Sequence, residues 1–476
     1  MARGAIHPPR RGSVVVIVIW SVAIAAVIVG AAQVLAFRQV AMGRESVAKI
    51  EARWAARAGI EETIAVLEYH TEEPNTEDSR QLYKDLELVA DGQLESGDWE
   101  IRHVEDGVEI KGPQDEHAKL NINNVDRLAL LELEGMTMDV ADAIVDWRDT
   151  DDNPGMMGAE YDFYSNRSLG YEPRNGAFRS IAEIELVAGA FPKYVRGEDQ
   201  NLNGRLDPNE NDGALSEPPD DADGFLDAGW SSALTARSAG SLIGASGEAR
   251  LNLRNATPEE MQARFGVTPE QAGALSSFGK NRSSSLSMLL TQDLSTLASG
   301  GANANGRTAT QMGAANNQRA QQEQQQGRQS GRSSSGANNR STNTRIQALD
   351  QQQLRRIFQE GTMDDGSQPI VGKVNLNTAP PSVLRALLPD DPISAEAILS
   401  LRNATSSGLL AISDLLGSSR ISPQSLAAIA PYVDTQSYVF TVTSRGRSAS
   451  TGLEVEITAV VDRSTLPARI LEYREQ

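Results

Sequence analysis

An uncharged apolar stretch near the start of the chain constrains this sequence more than any other feature. From Ser13 to Phe37 there is no Asp, Glu, Lys or Arg, and Gln33 is the one strongly polar side chain. An α-helix rises about 1.5 Å per residue, so about 20 such residues span the roughly 30 Å hydrocarbon core of a bilayer. Residues 13–37 are therefore predicted to form a transmembrane helix.

The residues before this helix predict its orientation. Arg3, Arg10 and Arg11 precede it, and basic flanks stay on the cytoplasmic side of a membrane. We expect a single-pass membrane protein with a cytoplasmic N-terminus and with the residues after Arg38 on the opposite side of the membrane. An ordinary uncleaved anchor fits this length, whereas the apolar core of a cleavable secretory signal is about 7–15 residues long and fits less well.

Composition and missing motifs narrow the function classes. The 476 residues suggest roughly three domains. Their 64 acidic and 44 basic side chains give a net charge of −20, which repels phosphate backbones and argues against a general nucleic-acid binder. With no cysteine there are no disulfides, thiolate metal sites or cysteine nucleophiles. We find no Walker A loop, nucleophile elbow or zinc-protease helix, and so predict that the protein is not an enzyme.

The two ends of the chain predict one unit of helix and sheet. Helical spacing of apolar residues continues to about Pro74, so the first helix is expected to leave the membrane and continue. Alternating apolar residues near residue 100 and from Tyr438 to Val461 predict strands. Each set is too small to be stable alone. We therefore predict an α+β fold in which one antiparallel sheet packs on the N-terminal helix, with residues 119–434 inserted.

The predicted insertion contains an internal repeat in three copies. Similar phrases, rich in Asn and followed by helical runs, begin at Lys119, Arg250 and Lys373, and their Asn and Thr side chains are suited to helix capping. The unit resembles the helix-hairpin-helix family. Its hairpins lack the paired glycines by which many such modules contact DNA, so we expect packing modules and no nucleic acid. Residues 299–345 are of low complexity and predict a disordered loop.

Residues 199–210 fit the twelve-residue calcium-binding loop. Calcium takes oxygen ligands at places 1, 3, 5, 7, 9 and 12 of this loop, and place 6 is glycine, here Gly204. Pro218 and Pro219 predict that the exiting helix is short or absent. A solvated acidic loop is the alternative, and residues 221–227 repeat the core of the motif weakly. The candidate ligands are Asp199, Asn201, Asn203, the backbone carbonyl of Arg205, Asp207 and Glu210.

The junction before the apolar helix resembles the leader of type IV pilins and pseudopilins. Basic residues, Gly12 and then an apolar helix starting at Ser13 form the pattern, and the resemblance implies cleavage between these two residues by a prepilin peptidase. Most family members carry Glu at the fifth mature position, where this chain has Ile17. A carboxylate at bilayer depth is costly, and in the family it pairs with a neighbour's terminal amine. A subunit without it resembles the K-type minor pseudopilin of type II secretion, which sits at the tip.

The acidic phrase from Asp146 to Asp152, which reads Asp-Trp-Arg-Asp-Thr-Asp-Asp, matches the strongest signature of that family. The resemblance implies that calcium is held near this loop, whereas without it a solvated charged turn is the better interpretation. Asp146 is then expected to cap or brace the loop. The candidate ligands are Asp149, Asp151, Asp152 and Glu160.

The resemblance implies a non-enzymatic subunit that primes fibre assembly and contacts exported proteins. Its implied partners are the I- and J-type minor pseudopilins and the major pseudopilin. Two alternatives are a pilin-like DNA-uptake protein and a membrane-anchored calcium-binding adhesin. The predicted segments are the leader (1–12), the transmembrane helix (13–37), the pilin helix and first strands (38–118), the helical insertion with calcium loops (119–298), the low-complexity loop (299–345), the third repeat (346–434) and the C-terminal strands (435–476).

Overall fold

The computed structural model describes most of the chain. The described residues are 12–167, 170–216, 219–299, 346–367 and 370–475. The predicted leader lies outside them except for Gly12, and the predicted low-complexity loop lies outside them except for Ser299. The boundaries of the predicted segments stay predictions.

The chain forms helices and strands in the following order. The helices are α1 (Gly12–Glu72), α2 (Gln81–Val89), α3 (Arg127–Leu131), α4 (Met138–Arg148), α5 (Tyr161–Asn166), α6 (Pro192–Val195), α7 (Gly229–Ala233), α8 (Pro258–Phe265), α9 (Pro269–Lys280), α10 (Leu294–Ser299), α11 (Gln351–Glu360), α12 (Pro381–Leu387), α13 (Pro392–Ala404) and α14 (Pro423–Ile429). The strands are β1 (Asp91–Leu94), β2 (Gly97–Glu105), β3 (Val108–Lys111), β4 (Gln114–Asp115), β5 (Leu120–Asn121), β6 (Leu234–Thr235), β7 (Leu251–Asn252), β8 (Gly361–Thr362), β9 (Val374–Asn375), β10 (Val433–Asp434), β11 (Val439–Ser448), β12 (Glu454–Asp462) and β13 (Arg469–Glu475).

Helix α1 combines a membrane anchor with a packing helix. Its N-terminal part is long and apolar enough to cross a membrane, and the side chains of that part are exposed. Its C-terminal part turns Ala52, Ala56, Ile60 and Leu67 into the protein core. The helix ends at Glu72, two residues before Pro74, because proline disfavours helical backbone at the preceding residue.

One antiparallel sheet packs on this part of α1. Its order is β1-β2-β11-β12-β13, with β3 paired to β2 and β4 paired to β11. Strands from residue 100 and from the C-terminus thus lie side by side, as predicted: Ser444 pairs with Ile101. The mixed helix and sheet architecture with a long apolar first helix is confirmed.

Glycines let the helix and the sheet approach closely. A Cβ atom on Gly446 of β11 would lie 2.0 Å from the carbonyl oxygen of Ala52 and 2.2 Å from the amide nitrogen of Ala56. On the helix side, a Cβ on Gly59 would lie 2.5 Å from the indole of Trp99. The backbones of α1 and β11 therefore touch, and the alanines of α1 fill the remaining space.

Between β4 and β11 the chain leaves the sheet and forms three similar units. Each unit opens with a two-residue strand that pairs in parallel with a later one: β5 with β6, β7 with β8, and β9 with β10. Asn121, Asn252 and Asn375 end the opening strands. Each accepts the N–H two residues on at 2.9 Å and donates to the chain just beyond the closing strand.

These asparagines do not cap helices, which differs from our expectation, whereas Thr257 does cap the helix that follows it, as expected. The cap of α3 is Asp126, the cap of α8 is Thr257, and Pro380 precedes α12 without a side-chain cap. The asparagines instead fix the turn and join it to the closing strand. The structure shows helical pairs in each unit, but their assignment to the helix-hairpin-helix class stays a prediction.

An arginine secures two of the three units. Arg148 at the end of α4 and Arg402 near the end of α13 each donate to two carbonyls at the start of their own unit. The residue at the same spacing in the second unit is Gly279, where a Cβ atom would lie 2.0 Å from the carbonyl oxygen of Leu253. The second unit therefore closes by direct backbone contact.

Candidate metal centres

Three carboxylates of the first unit converge. One oxygen of each of Asp146, Asp149 and Glu160 lies within 4.8 Å of the others. Asp146 and Glu160 are buried, and Asp149 is half-buried. We call these three residues the acidic centre. Among the described residues, no other group of three Asp, Glu or His side chains meets this distance.

Helix α4 positions the first two carboxylates. Trp147 lies between them in sequence and is buried among Tyr164, Phe178 and Tyr171, and its indole nitrogen donates to Glu183 at 3.0 Å. The neighbouring arginine is held by the carbonyl contacts described above. The end of α4 is therefore fixed, and the two carboxylates on either side of Trp147 face the loop that follows.

That loop folds tightly over Asp146. The amide of Gly155 lies 3.0 Å and 3.1 Å from the two carboxylate oxygens. A Cβ on Gly158 would lie only 1.8 Å from Oδ2 of Asp146. Asp142, one turn earlier, accepts the amide of Met157 at 3.1 Å and Arg127 at 2.8 Å. Glycines thus allow the backbone to pass close to the carboxylate, and this passage brings Glu160 to the centre.

Glu160 shows that the acidic centre fits a cation. Its side chain is buried, and neither carboxylate oxygen has a hydrogen-bond partner among the described residues. Burial, together with the charges of Asp146 and Asp149, raises the pKa of Glu160 to about 7. A buried anion without a partner costs free energy, and hard oxygens in this number are what calcium binds.

The structure brings together only part of the predicted ligand set, and metal binding there stays a prediction. Asp149 and Glu160 meet, as the resemblance implied, and Asp146, which we expected to cap or brace, joins them. Asp151 and Asp152 lie outside the group and are exposed. Asp151 accepts two bonds from Asn153, and Asp152 accepts one from Asn175. Spacing alone did not indicate that the loop at Gly158 would enclose Asp146.

The loop of residues 199–210 folds around its own carboxylate and amide oxygens. Asp199, buried at place 1, accepts the amides of Asn203 and Gly204 at 3.0 Å each. Asn201 and Asn203 accept the amides of Asn203 and Arg205 at 2.9 and 2.8 Å. Gly204 has φ +69°, the left-handed backbone that place 6 requires. The oxygen side chains of places 1, 3 and 5 therefore lie on the inside of one turn.

Glu210 closes this loop at place 12. It is buried, and its two oxygens accept the amides of Gln200 and Asp207 at 2.9 and 3.0 Å. Burial, with the neighbouring charges of Asp199 and Asp207, raises the pKa of Glu210 to about 7. The exit is a 3-10 helix of three residues, Pro208–Glu210, and is short as predicted. The donors present fit calcium, although Glu210 would exchange its amide partners for the ion.

The same loop is joined to the sheet. Asn203 donates to Glu456 of β12 at 2.9 Å, and Asp207 pairs with Arg445 of β11 at 3.0 Å. The guanidinium of Arg205 pairs with Glu100 of β2 at 2.9 Å. Among the described residues, the side chains of the weaker repeat at 221–227 make no hydrogen bond or ion pair with the sheet. The amides of Asp221 and Asp227 donate to Glu198 instead.

A comparison with protein families finds a match for the part of the chain that contains the acidic centre. Residues 114–197 match the family model described as Type II secretion system (T2SS), protein K. The match confirms the resemblance to the K-type minor pseudopilins. The acidic centre lies inside the matched protein K segment, and the calcium-type loop begins two residues after it.

Comparison with solved structures finds a chain of the crystal structure of the GspK-GspI-GspJ complex from the enterotoxigenic Escherichia coli type 2 secretion system. The two chains share 10% identity at a TM-score of 0.44, over 91% of this chain and 99% of that one. A comparison with curated proteins found no match.

Proposed function

We propose that this protein is the tip subunit of a type II secretion pseudopilus. The observation that carries the proposal is the protein K match of residues 114–197, which follows a long apolar helix packed on a sheet. The fifth residue after the predicted cleavage point, in that helix, is Ile17. A subunit without a carboxylate there cannot pair with the terminal amine of a subunit above it, so its place is at the end of the fibre.

The proposed partners follow from this place. The I- and J-type minor pseudopilins and the major pseudopilin lie below the subunit, and the head primes assembly and contacts exported proteins. Prepilin peptidase cuts between Gly12 and Ser13. The apolar helix sits in the inner membrane with the N-terminus cytoplasmic and the bulk periplasmic, supported by Arg3, Arg10 and Arg11 before it.

Calcium is the proposed cofactor, and its role is structural. Asp146, Asp149 and Glu160 would hold one ion, and the loop from Asp199 to Glu210 would hold another. When bound, the ion supplies positive charge that offsets the repulsion of buried carboxylates. The chain has no disulfide, so fixing these loops would contribute to the stability of the head directly.

The proposal includes no catalysis and no DNA contact. The candidate ligand side chains of both centres are carboxylates and amides, which suit a cation, and the net charge of −20 disfavours a phosphate backbone. A calcium-binding adhesin on a plain anchor has the same metal centres, so only the N-terminus and the partners separate it from the pseudopilin.

Processing and secretion test the proposal together. The protein is purified from its own membranes, and the mass of its N-terminal peptide is measured. A mature chain that starts at Ser13, with loss of exported proteins from the medium after deletion of the gene, supports the tip role. A chain that keeps residues 1–12, or normal export without the gene, contradicts it. A Gly12→Val variant is the control for processing.

A further inference from the structure

A groove lies between α1 and the turn that joins β11 to β12, residues 449–453. It has a volume of about 800 Å³, which falls within the roughly 300–1,000 Å³ typical of ligand sites. Its walls include Phe37, Val40, Ala41, Arg44 and Glu45 of α1 and Leu453 of the turn. The groove therefore lies where α1 leaves the apolar stretch that is long enough to cross a membrane, and it shares no residue with either metal centre.

The floor of the groove continues the stripe by which α1 packs on the sheet. Ala48 of this stripe is fully buried, and Ala41 precedes it by seven residues, which is about two helical turns on the same face. Nearer the membrane this face is uncovered, since Phe37 is 77% exposed and Val40 is 54% exposed. The groove therefore offers an apolar surface that the described residues do not cover.

The position of the groove along α1 corresponds to the surface of a bilayer. The apolar stretch ends at Phe37, and Arg38 is the next charged residue. The headgroup layer is about 5–8 Å thick on each side of the hydrocarbon core. At about 1.5 Å per residue, Val40 lies about 4–5 Å beyond Phe37, and Arg44 lies about 10 Å beyond it. Because helical side chains lean toward the N-terminus of their helix, the long side chain of Arg44 reaches back into the headgroup layer.

Arg44 and Glu45 give the groove one positive and one negative charge side by side. Among the described residues, neither side chain makes a hydrogen bond or an ion pair, whereas farther along α1 Arg57 pairs with Glu61 at 3.3 Å. A simple anion would be repelled by Glu45, and a simple cation would be repelled by Arg44. The two charges together therefore complement a zwitterionic group better than an ion of either sign.

We propose that this groove binds a phospholipid of the ethanolamine type, with its phosphate at Arg44, its ammonium at Glu45 and an acyl chain along the apolar floor. An ethanolamine ammonium donates N–H bonds to a carboxylate, whereas a choline headgroup has no N–H and a glycerol headgroup has no positive charge. Leu453 of the turn also packs against the core, so the lipid would hold the end of the sheet at the membrane surface. The proposal rests on the membrane-spanning role proposed for α1, and it does not depend on the tip position or on calcium.

The first test measures which lipids stay bound. Full-length protein in dodecyl maltoside is mixed with equal amounts of dioleoyl phosphatidylethanolamine, phosphatidylcholine and phosphatidylglycerol, and the retained lipids are counted by native mass spectrometry. We expect one retained ethanolamine lipid, at an occupancy at least about fivefold above that of either other lipid, since only this headgroup makes a charged hydrogen bond to Glu45. Equal retention of the three lipids, a preference for either of the other two, or retention of none overturns the proposal.

Variants then locate the site. Glu45→Gln should abolish the preference for ethanolamine over choline, and Arg44→Gln should lower the retention of all three lipids at least severalfold. The matched controls are Arg38→Gln, close to the same membrane surface but outside the groove, and Glu62→Gln, exposed farther along α1. Both controls should retain lipids as the wild type does. An unchanged preference in Glu45→Gln, or the same losses in the controls, overturns the assignment of the site.

A photocrosslink in the membrane distinguishes a lipid from a protein on the same face of α1. The chain is expressed with p-benzoylphenylalanine in place of Val40, irradiated in its own membranes and digested, and the mass of the modified peptide is measured. We expect the added mass of phosphatidylethanolamine. A crosslink to a protein in place of the lipid overturns the proposal. Extraction with sodium carbonate tests the membrane span separately: a chain that stays in the membrane without capturing lipid contradicts this proposal alone, whereas a chain that is released contradicts the proposed span as well.

Discussion

Glu160 is the residue whose environment most strongly favours a bound cation. It is buried with two unpartnered oxygens beside two aspartates. Calcium should therefore raise the melting temperature of the wild-type protein. At calcium a hundredfold above Kd, one site contributes about 2.7 kcal/mol.

Glu160→Gln tests that site by removing one charged ligand. The variant should lose much of the calcium-dependent rise, and it should melt no lower than wild type in chelator because repulsion with Asp146 is relieved. Asp162→Asn, an exposed neighbour on α5, is the control and should respond to calcium as wild type does. The measurement is thermal unfolding by circular dichroism. An equal calcium response in Glu160→Gln would contradict the assignment.

His103 gives the protein a predictable response to acid. The side chain is 7% exposed, and burial lowers its pKa from 6.5 to about 4. Between these pH values the unfolded chain binds a proton that the folded chain does not. Proton binding by His103 in the unfolded chain therefore leaves the free energy of unfolding unchanged above pH 6.5. It lowers that free energy by up to about 3 kcal/mol on acidification to pH 4.

The variant that isolates this effect is His103→Asn, which keeps a donor for the carbonyl of Gly112, 2.8 Å from Nδ1. Urea unfolding followed by tryptophan fluorescence at pH 7 and pH 4.5 measures it. The wild type should lose more stability between the two values than the variant loses. An equal loss of unfolding free energy in the wild type and the variant would show that His103 does not cause the loss of stability in acid.

At the scale of elements, the contact between α1 and β11 is the one most sensitive to volume. A Cβ at Gly446 meets the backbone of α1, so Gly446→Ala should separate helix and sheet and cost about 1–3 kcal/mol. Gly43→Ala, where no atom lies within 4 Å of the added carbon, should stabilise α1 by about 0.5–1 kcal/mol. Urea unfolding of both variants measures the difference. A neutral Gly446→Ala would show that the contact is loose.

Elements with a long periodic pattern were predictable from the sequence, and those built by distant contacts were not. The 61-residue α1 and the long strands β2, β11 and β12 follow from apolar spacing that the chain shows locally. The strands of the parallel pairs, such as β5 and β6, are two residues long, so they show no periodic pattern from which they could be predicted. Gly279 of the second unit stands where the other two units have Arg148 and Arg402. This correspondence is visible only in the structure, where the carbonyls that the arginines contact are known.

The candidate sites show the same limit. The loop from Asp199 to Glu210 is contiguous, so its candidate ligands follow from spacing alone, and calcium binding there stays a prediction. The acidic centre takes its residues from two sides of a loop, and the role of Asp146 depends on how closely Gly158 approaches it. A candidate site that is local in sequence can be read from spacing, whereas one that is assembled by loop closure needs the fold.

For the whole molecule, the calcium-type loop is also a joint between the first unit and the sheet. Its residues Asn203, Arg205 and Asp207 bond to β12, β2 and β11. Removing calcium should therefore loosen the sheet side of this contact as well as the loop. Hydrogen exchange with and without chelator measures this. Amides of β12 should exchange faster without calcium in wild type, and Asp199→Asn should exchange fast in both conditions. Equal exchange of the β12 amides with and without calcium would contradict the prediction that the loop stabilises the sheet.

Assembly with sister subunits tests the central claim most directly. The full-length protein is co-expressed with the I- and J-type minor pseudopilins of its own cell, purified through an affinity tag on this chain, and weighed by native mass spectrometry in calcium. We predict a complex that contains one copy of each of the three proteins, and we predict that an Ile17→Glu variant still forms it. Recovery of this chain alone, with both sister proteins present in the membrane, would contradict the tip assignment.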